Sequence, residues 1–146
     1  QKLWNIQIMK KILFIITLLY LGCKPNPSRY AELINGYWEI ENVCKNGELL
    51  KEFKINQRID FFKINNDLSG YRKKLKPNFD GTYTSSNDRL NLQLEIKLHN
   101  RIYLVYIDNN TTFSEEVIKV NNKSLTLKND KGLVYNYKAY KPLDIN

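Results

Sequence analysis

The stretch RLNLQLEIKL, residues 89 to 98, carries Leu90, Leu92, Leu94, Ile96 and Leu98 at every second position, with Asn91, Gln93, Glu95 and Lys97 between them. A helix would spread those apolar side chains around its circumference, whereas a strand puts all of them on one face. The segment therefore reads as a half-buried strand, and its neighbours follow the same rule. Downstream, IYLVYI (102–107) is apolar at every position, which predicts a strand covered or semi-covered on both faces. FSEEVIKV, SLTLK and LVYNYKAY come next, separated by the turn-forming NNK and NDKG. Upstream, GYWEIENV alternates Trp38 and Ile40 against Glu39 and Glu41 and runs into Asn46-Gly47, a strong hairpin signal. RIDFFKI (58–64), LSGYRKKLK (68–76) and the short GTYTS complete the series, with Gly70 expected to mark a bulge.

This gives about eight or nine strands, joined by short turns. Parallel pairing needs crossovers of about a dozen residues or more, and no segment between the strands is long enough to supply them. The expected fold is all-β, an antiparallel up-and-down meander closing into a barrel. A two-sheet sandwich is the alternative. Ahead of the first strand, Ser28 to Ile34 reads as one or two helical turns capped by Ser28, with Tyr30, Leu33 and Ile34 on its apolar side.

The N-terminal segment has a different character. Lys10 and Lys11 precede an apolar run from Ile12 to Leu21, followed by Gly22 and Cys23. A membrane-spanning helix needs about 20 apolar residues, and the two lysines stop this run short of that. The three-part pattern is that of a secretory signal. Residues 9–22 are read as the signal peptide, 23–30 as anchor and Pro-containing linker, 31–143 as the β-domain, and 1–8 as upstream translation of a gene starting at Met9. LYLGC, residues 19 to 23, resembles the cleavage box of bacterial lipoproteins, which implies a lipid-modified Cys23. A plain cleaved secretion signal and an uncleaved anchor are the alternatives. Cleavage before Cys23 removes Lys2, Lys10 and Lys11 and no acid, so the formal charge falls from +8 to +5. So modest a charge does not call for nucleic acid, and it suits proximity to anionic lipid or polysaccharide.

LINGYWEIENVCKNGELL, residues 33 to 50, resembles the opening of lipocalin-like domains in bacterial lipoproteins, especially those of Bacteroidetes. The resemblance implies a barrel in which Gly36 and Trp38 close one end. A basic side chain from near the last strand, Lys138 or Lys141, would lie over the Trp. It also implies a small apolar ligand held inside, with Leu90, Leu92, Leu94, Ile96, Leu104 and Tyr106 as candidate lining residues; the simpler reading of each is ordinary filled core. Location at the bacterial envelope follows, on the outer membrane facing the periplasm, since Lys24 is followed by Pro25, Asn26 and Pro27 with no acid before Glu32.

A second reading is a non-catalytic scaffold or interaction module that binds an envelope protein or glycan through strand tyrosines or the basic YRKKLK, residues 71–76. The bland reading of that basic run is a solvated edge strand protected by lysine. A third reading, an enzyme, finds little support. No nucleophile motif, metal set or phosphate loop is present, and no cofactor is implied. Asp60, Asp80, Asp88 and Glu95 have no spacing that pairs them. Cys44 reads as a semi-buried structural residue, and His99 is the only histidine available as a base for it. Metabolic labelling with palmitate is expected to mark the protein. Cys23→Ala should remove the label and release the chain from the membrane fraction. Unchanged membrane retention in that variant would exclude Cys23 as the anchor.

Overall fold

The computed structural model describes residues 8–11 and 24–141. Cys23 and the apolar run before it lie outside the described residues. No helix among the described residues is long and apolar enough to cross a membrane.

A short helix, α1 (Pro27–Ile34), precedes nine strands. These are β1 (Gly36–Lys45), β2 (Glu48–Glu52), β3 (Ile59–Ile64), β4 (Ser69–Pro77), β5 (Tyr83–Lys97), β6 (Arg101–Asp108), β7 (Thr111–Val120), β8 (Ser124–Asn129) and β9 (Leu133–Ala139). Neighbouring strands pair antiparallel in the order β2-β1-β3-β4-β5-β6-β7-β8-β9, and β1 also pairs with β9. That last ladder, from Trp38↔Ala139 to Lys45↔Leu133, closes the sheet. The architecture is therefore a barrel of eight strands and not a sandwich, with β2 as an addition. β2 pairs with Asn42–Lys45 of β1, while β3 uses Gly36–Trp38 on the same edge. The hairpin β1–β2 turns at Asn46 (φ 53°) and Gly47 (φ 81°), the left-handed pair that such two-residue turns require.

α1 is capped by Asn26, not by Ser28. Its side chain accepts from the backbone N–H groups of Ser28 (3.1 Å) and Arg29 (3.4 Å). Pro27 then occupies the first helical position, where its missing N–H costs nothing. The far end of α1 is sewn to the barrel. The Trp38 indole donates to the Ile34 carbonyl at 2.7 Å, satisfying a terminal group that the helix leaves open. The Asn35 side chain donates to the Ile64 carbonyl (3.0 Å) and accepts from the Ile64 N–H (2.6 Å), so it acts as one more rung beside β3. Gly36, at φ 127°, makes the bend between helix and strand that an L side chain would oppose.

The core occupies the barrel interior. Leu92 and Leu94 of β5 stand opposite Tyr106 and Leu104 of β6, all four nearly inaccessible. Leu125, Leu127, Phe62 and Trp38 complete the packing, with Ala31 and Ile34 of α1 against it. The alternation in RLNLQLEIKL runs past this core. Ile96 is 43 % exposed and Leu98 is 82 % exposed, because the strand ends in a tight turn, Leu98–Asn100, beyond the barrel wall. IYLVYI is buried on its inner face and half-covered on the other, where Tyr103 and Val105 are half-buried and only Ile107 is exposed.

Gly70 is not at a bulge, which falls instead between Lys73 and Leu75. It is a point of close approach, because a Cβ there would fall on the backbone carbonyl of Lys63 in the paired strand. Gly70→Ala is expected to lower stability by about 1–3 kcal/mol in urea unfolding. A change within about 0.5 kcal/mol, typical of a tolerant surface position, would contradict that contact.

Candidate functional site

Two places carry more than apolar packing: a charged cluster inside the barrel and a cleft on its outside. The cluster centres on Arg72 of β4. Its Nε donates to Asp60 Oδ1 at 2.8 Å, Nη1 to Glu115 Oε2 at 3.3 Å, and Nη2 to the Tyr137 hydroxyl at 2.9 Å. Lys74 Nζ donates to the second Asp60 oxygen at 2.7 Å, and the Tyr106 hydroxyl donates to Glu115 Oε2 at 2.7 Å. The guanidinium carbon lies 5.1 Å from the ring centre of Phe62 and 5.9 Å from those of Tyr106 and Tyr137. Such a cage accepts a delocalised cation better than a compact ammonium.

Burial opposes the charge on Asp60, but Arg72 and Lys74 outweigh it, and its pKa lies below the ordinary aspartate value. Burial likewise opposes the charge on Arg72, yet Tyr137, Tyr106 and Asp60 drive its pKa well above normal. Burial is the largest reason that the phenols of Tyr106 and Tyr137 are held protonated. Among the described residues no buried side-chain nitrogen or oxygen lacks a hydrogen-bond partner. The cluster is thus balanced in charge, with two cations facing two carboxylates. Arg72 belongs to the run YRKKLK, whose expected place was a solvated edge. β4 is instead an inner strand of the closed sheet, paired with β3 and β5, and alternation turns Arg72 inward.

The outer cleft is built by the β4–β5 hairpin. Its distal end bends back across the wall until Tyr83 stacks on Tyr37 of β1, with ring centres 4.9 Å apart and planes 11° apart. Tyr37 leans in turn on Phe61 (4.8 Å), and Phe61 on Tyr71 (6.1 Å), giving an aromatic ladder on the outside of the barrel. Between the hairpin tip and the wall lies a cavity of about 640 Å³, lined among others by Glu39, Ile55, Gln57, Phe79, Tyr83 and Tyr140. That volume lies in the range of small-molecule sites, about 300–1,000 Å³. Ile55 and Phe79 are 88 % and 90 % exposed, so the rim offers bare apolar groups. A second cavity, about 130 Å³, sits between α1 and the β3–β4 turn.

Neither cavity is lined by Leu90, Leu92, Leu94, Ile96, Leu104 or Tyr106. Leu92, Leu94, Leu104 and Tyr106 are buried against the rest of the core, Leu90 is half-buried beside it, and Ile96 reaches the surface. Trp38 is buried at the α1 end of the barrel, but Lys138 does not lie over it. Trp38 faces Ala139 across the ladder, while Lys138 stands opposite Glu39 on the outer face and pairs with it at 3.4 Å. Lys141 lines the outer cleft. Cys44 is half-buried with its thiol 3.5 Å from Asn42 Oδ1, and His99 is exposed in the turn before β6. Asp80 holds the hairpin tip by accepting from Thr82, and Asp60 finds Glu115 as its fellow carboxylate, both bound to Arg72. Among the described residues no cluster of three or more His, Cys, Asp or Glu is placed to hold a metal.

No family model and no curated protein matches the chain. Among solved structures, it is similar to a lipocalin-like protein from Bacteroides uniformis ATCC 8492 and to an uncharacterized protein from Bacteroides eggerthii DSM 20697. In each case the identity is 13 % and the TM-score 0.44, over 73 % of this chain and 98 % of the other.

Arg72→Met would leave Asp60 and Glu115 buried opposite a neutral side chain, and is expected to cost about 3–5 kcal/mol in denaturant unfolding. Asp60 adds a pH dependence. Its lowered pKa stabilises the fold above the ordinary aspartate value, and that contribution is lost as pH falls through the folded-state value. Asp60→Asn should therefore flatten the acid limb of the stability profile. An acid limb equal to that of the wild type would remove Asp60 from the account.

Proposed function

We propose that the protein is a non-catalytic binding module of a bacterial cell envelope, anchored through Cys23, and that its recognition site is the outer cleft. The observation that carries this reading is the contrast between the two sides of the barrel wall. Inside, the side chains best placed to line a ligand site are close-packed, with Leu94 1 % exposed and Leu104 and Tyr106 fully inaccessible. Outside, an aromatic ladder ends in an open cleft of about 640 Å³ with unburied apolar groups on its rim. Unburied aromatic and apolar side chains beside amides and charges are the composition of recognition surfaces. The lack of catalytic chemistry is supported by the same inventory. The buried carboxylates are committed to Arg72, and Cys44 has Asn42 as its hydrogen-bond partner rather than a base. The envelope address rests on the leader and on LYLGC, with Asn26 and Pro27 bringing the chain directly into α1.

Amide-resolved NMR titration separates the outer cleft from the barrel interior. The full chain would be titrated with palmitate and, separately, with a panel of soluble oligosaccharides. Shifts are expected for Gln57, Phe79, Tyr83 and Tyr140 with a saccharide, and Tyr83→Ala should weaken that binding tenfold or more. Saturable shifts at Leu92, Leu94, Leu104 and Tyr106 with palmitate, insensitive to Tyr83→Ala, would overturn the cleft reading in favour of an apolar ligand inside the barrel.

A further inference from the structure

The following rests on the outer cleft being the recognition site. We propose that its ligand is an acidic saccharide, a sugar chain carrying carboxylates. The aromatic part of the cleft is pre-formed. Tyr83 is held flat against Tyr37, which is braced by Phe61, so a ring stacking there meets a surface already ordered. The apolar C–H face of a pyranose carries slight positive charge and suits the negative face of an aromatic ring. Tyr140 lines the same cleft as Tyr83. Among the described residues neither hydroxyl has a protein hydrogen-bond partner, so both are available to sugar hydroxyls. The Gln57 amide is equally unengaged, while Asn56 and Asn78 are already fixed, Asn56 by donating to Glu39 (3.1 Å) and to the Ile40 carbonyl (2.8 Å), Asn78 by donating to Thr82 (2.9 Å).

The charge in the cleft is unbalanced. Among the described residues Glu39 is its one acid, and Lys138 already neutralises it at 3.4 Å. Lys76 and Lys141 also line the cleft, and among the described residues neither pairs with a carboxylate. Two ammonium groups without a carboxylate partner among the described residues, beside an aromatic platform, favour a sugar with negative charge over a neutral one.

The hairpin side of the cleft gives an extended peptide little to pair with. Peptide capture by strand addition depends on free main-chain groups, and several at the hairpin tip and at Tyr140 are already engaged. Asn78 N–H donates to the Thr82 carbonyl (2.9 Å), Gly81 N–H to the Asn78 carbonyl (3.2 Å), and Tyr140 N–H to the Tyr37 carbonyl (2.9 Å). Pro77 has no N–H to give.

The test uses the full chain and four probes: galacturonic acid, an oligogalacturonate, the same oligomer as its methyl ester, and an Asp/Glu-rich peptide. Binding is followed by calorimetry and located by amide shifts. The oligogalacturonate is expected to bind at the cleft at least tenfold more tightly than its ester, with an advantage that shrinks as salt is raised. It should also bind more tightly than the monosaccharide, as a site for a chain requires. Lys76→Gln combined with Lys141→Gln should bring acid and ester to the same affinity, while Tyr83→Ala weakens both. These positions are on the surface, and circular dichroism confirms that the variants fold. Equal affinity for acid and ester in the wild type would overturn the acidic class and leave the cleft as the site. Monosaccharide binding as tight as that of the oligomer would overturn the chain. A peptide that binds the cleft more tightly than either oligomer would overturn the saccharide. No shift at the cleft with any probe would overturn the recognition reading itself.

Discussion

The Arg72 guanidinium ties together more of this molecule than any other side chain. Through Asp60, Glu115 and Tyr137 it joins β4 to β3, β7 and β9, and through Glu115 it reaches Tyr106 of β6. A charge placed there is tolerable because each guanidinium nitrogen has an acceptor, two of them carboxylates, and three rings surround it. Replacing the whole set by apolar side chains of equal volume could leave stability unchanged, whereas removing Arg72 alone strands two carboxylates. The cluster therefore specifies which strands meet across the interior more than it strengthens them. It also takes up space that an apolar ligand would need, and so turns attention to the outer wall.

That outer wall is unusual in carrying its own packing. Ile59 and Leu75, cross-strand partners that alternate with the inward-facing Asp60 and Lys74, are both buried although they stand on the outer side. The aromatic ladder runs alongside them. The β4–β5 hairpin is long enough to bend over the sheet because β5 continues well beyond the part that pairs with β6, which begins only at Asn91. The bulge at Lys73–Leu75 gives the bend its place. A single long hairpin thus supplies one wall of the barrel and one wall of the cleft.

The fold was legible because its signals are local. Period-two alternation in RLNLQLEIKL and GYWEIENV, the Asn46-Gly47 turn and the absence of crossovers were enough to reach an antiparallel barrel. The errors arose where partners are distant in sequence. YRKKLK looks like a solvated edge until β3 and β5 are known to flank it, and only then does the parity of Arg72 turn it inward. Lys138 looked available to cover Trp38, but the β1–β9 register puts it opposite Glu39, one residue out of phase. GTYTS and RLNLQLEIKL read as separate strands, yet β5 runs unbroken from Tyr83 to Lys97. The strand tyrosines and the basic run held pieces of the cleft, Lys76, Tyr83 and Tyr140, but nothing in the sequence joins them, since its residues come from four separated segments. Asn26 alone could have been found, because Asn before Pro at a helix start is a recognised cap pattern.

Trp38 and Asn35 have a mechanical consequence. They fasten the last turn of α1 to β1 and β3 just where the chain enters the barrel. A load applied to the chain ahead of α1 meets the indole–carbonyl bond and the two Asn35–Ile64 bonds before it strains the sheet. Beyond them it acts along β1, which is held by β9 on one edge and by β3 and β2 on the other. Pulled lengthwise, those ladders resist in shear, so many hydrogen bonds must yield together instead of opening one at a time. The helix is a strain relief, of the kind that keeps tension on a cable from reaching its connector.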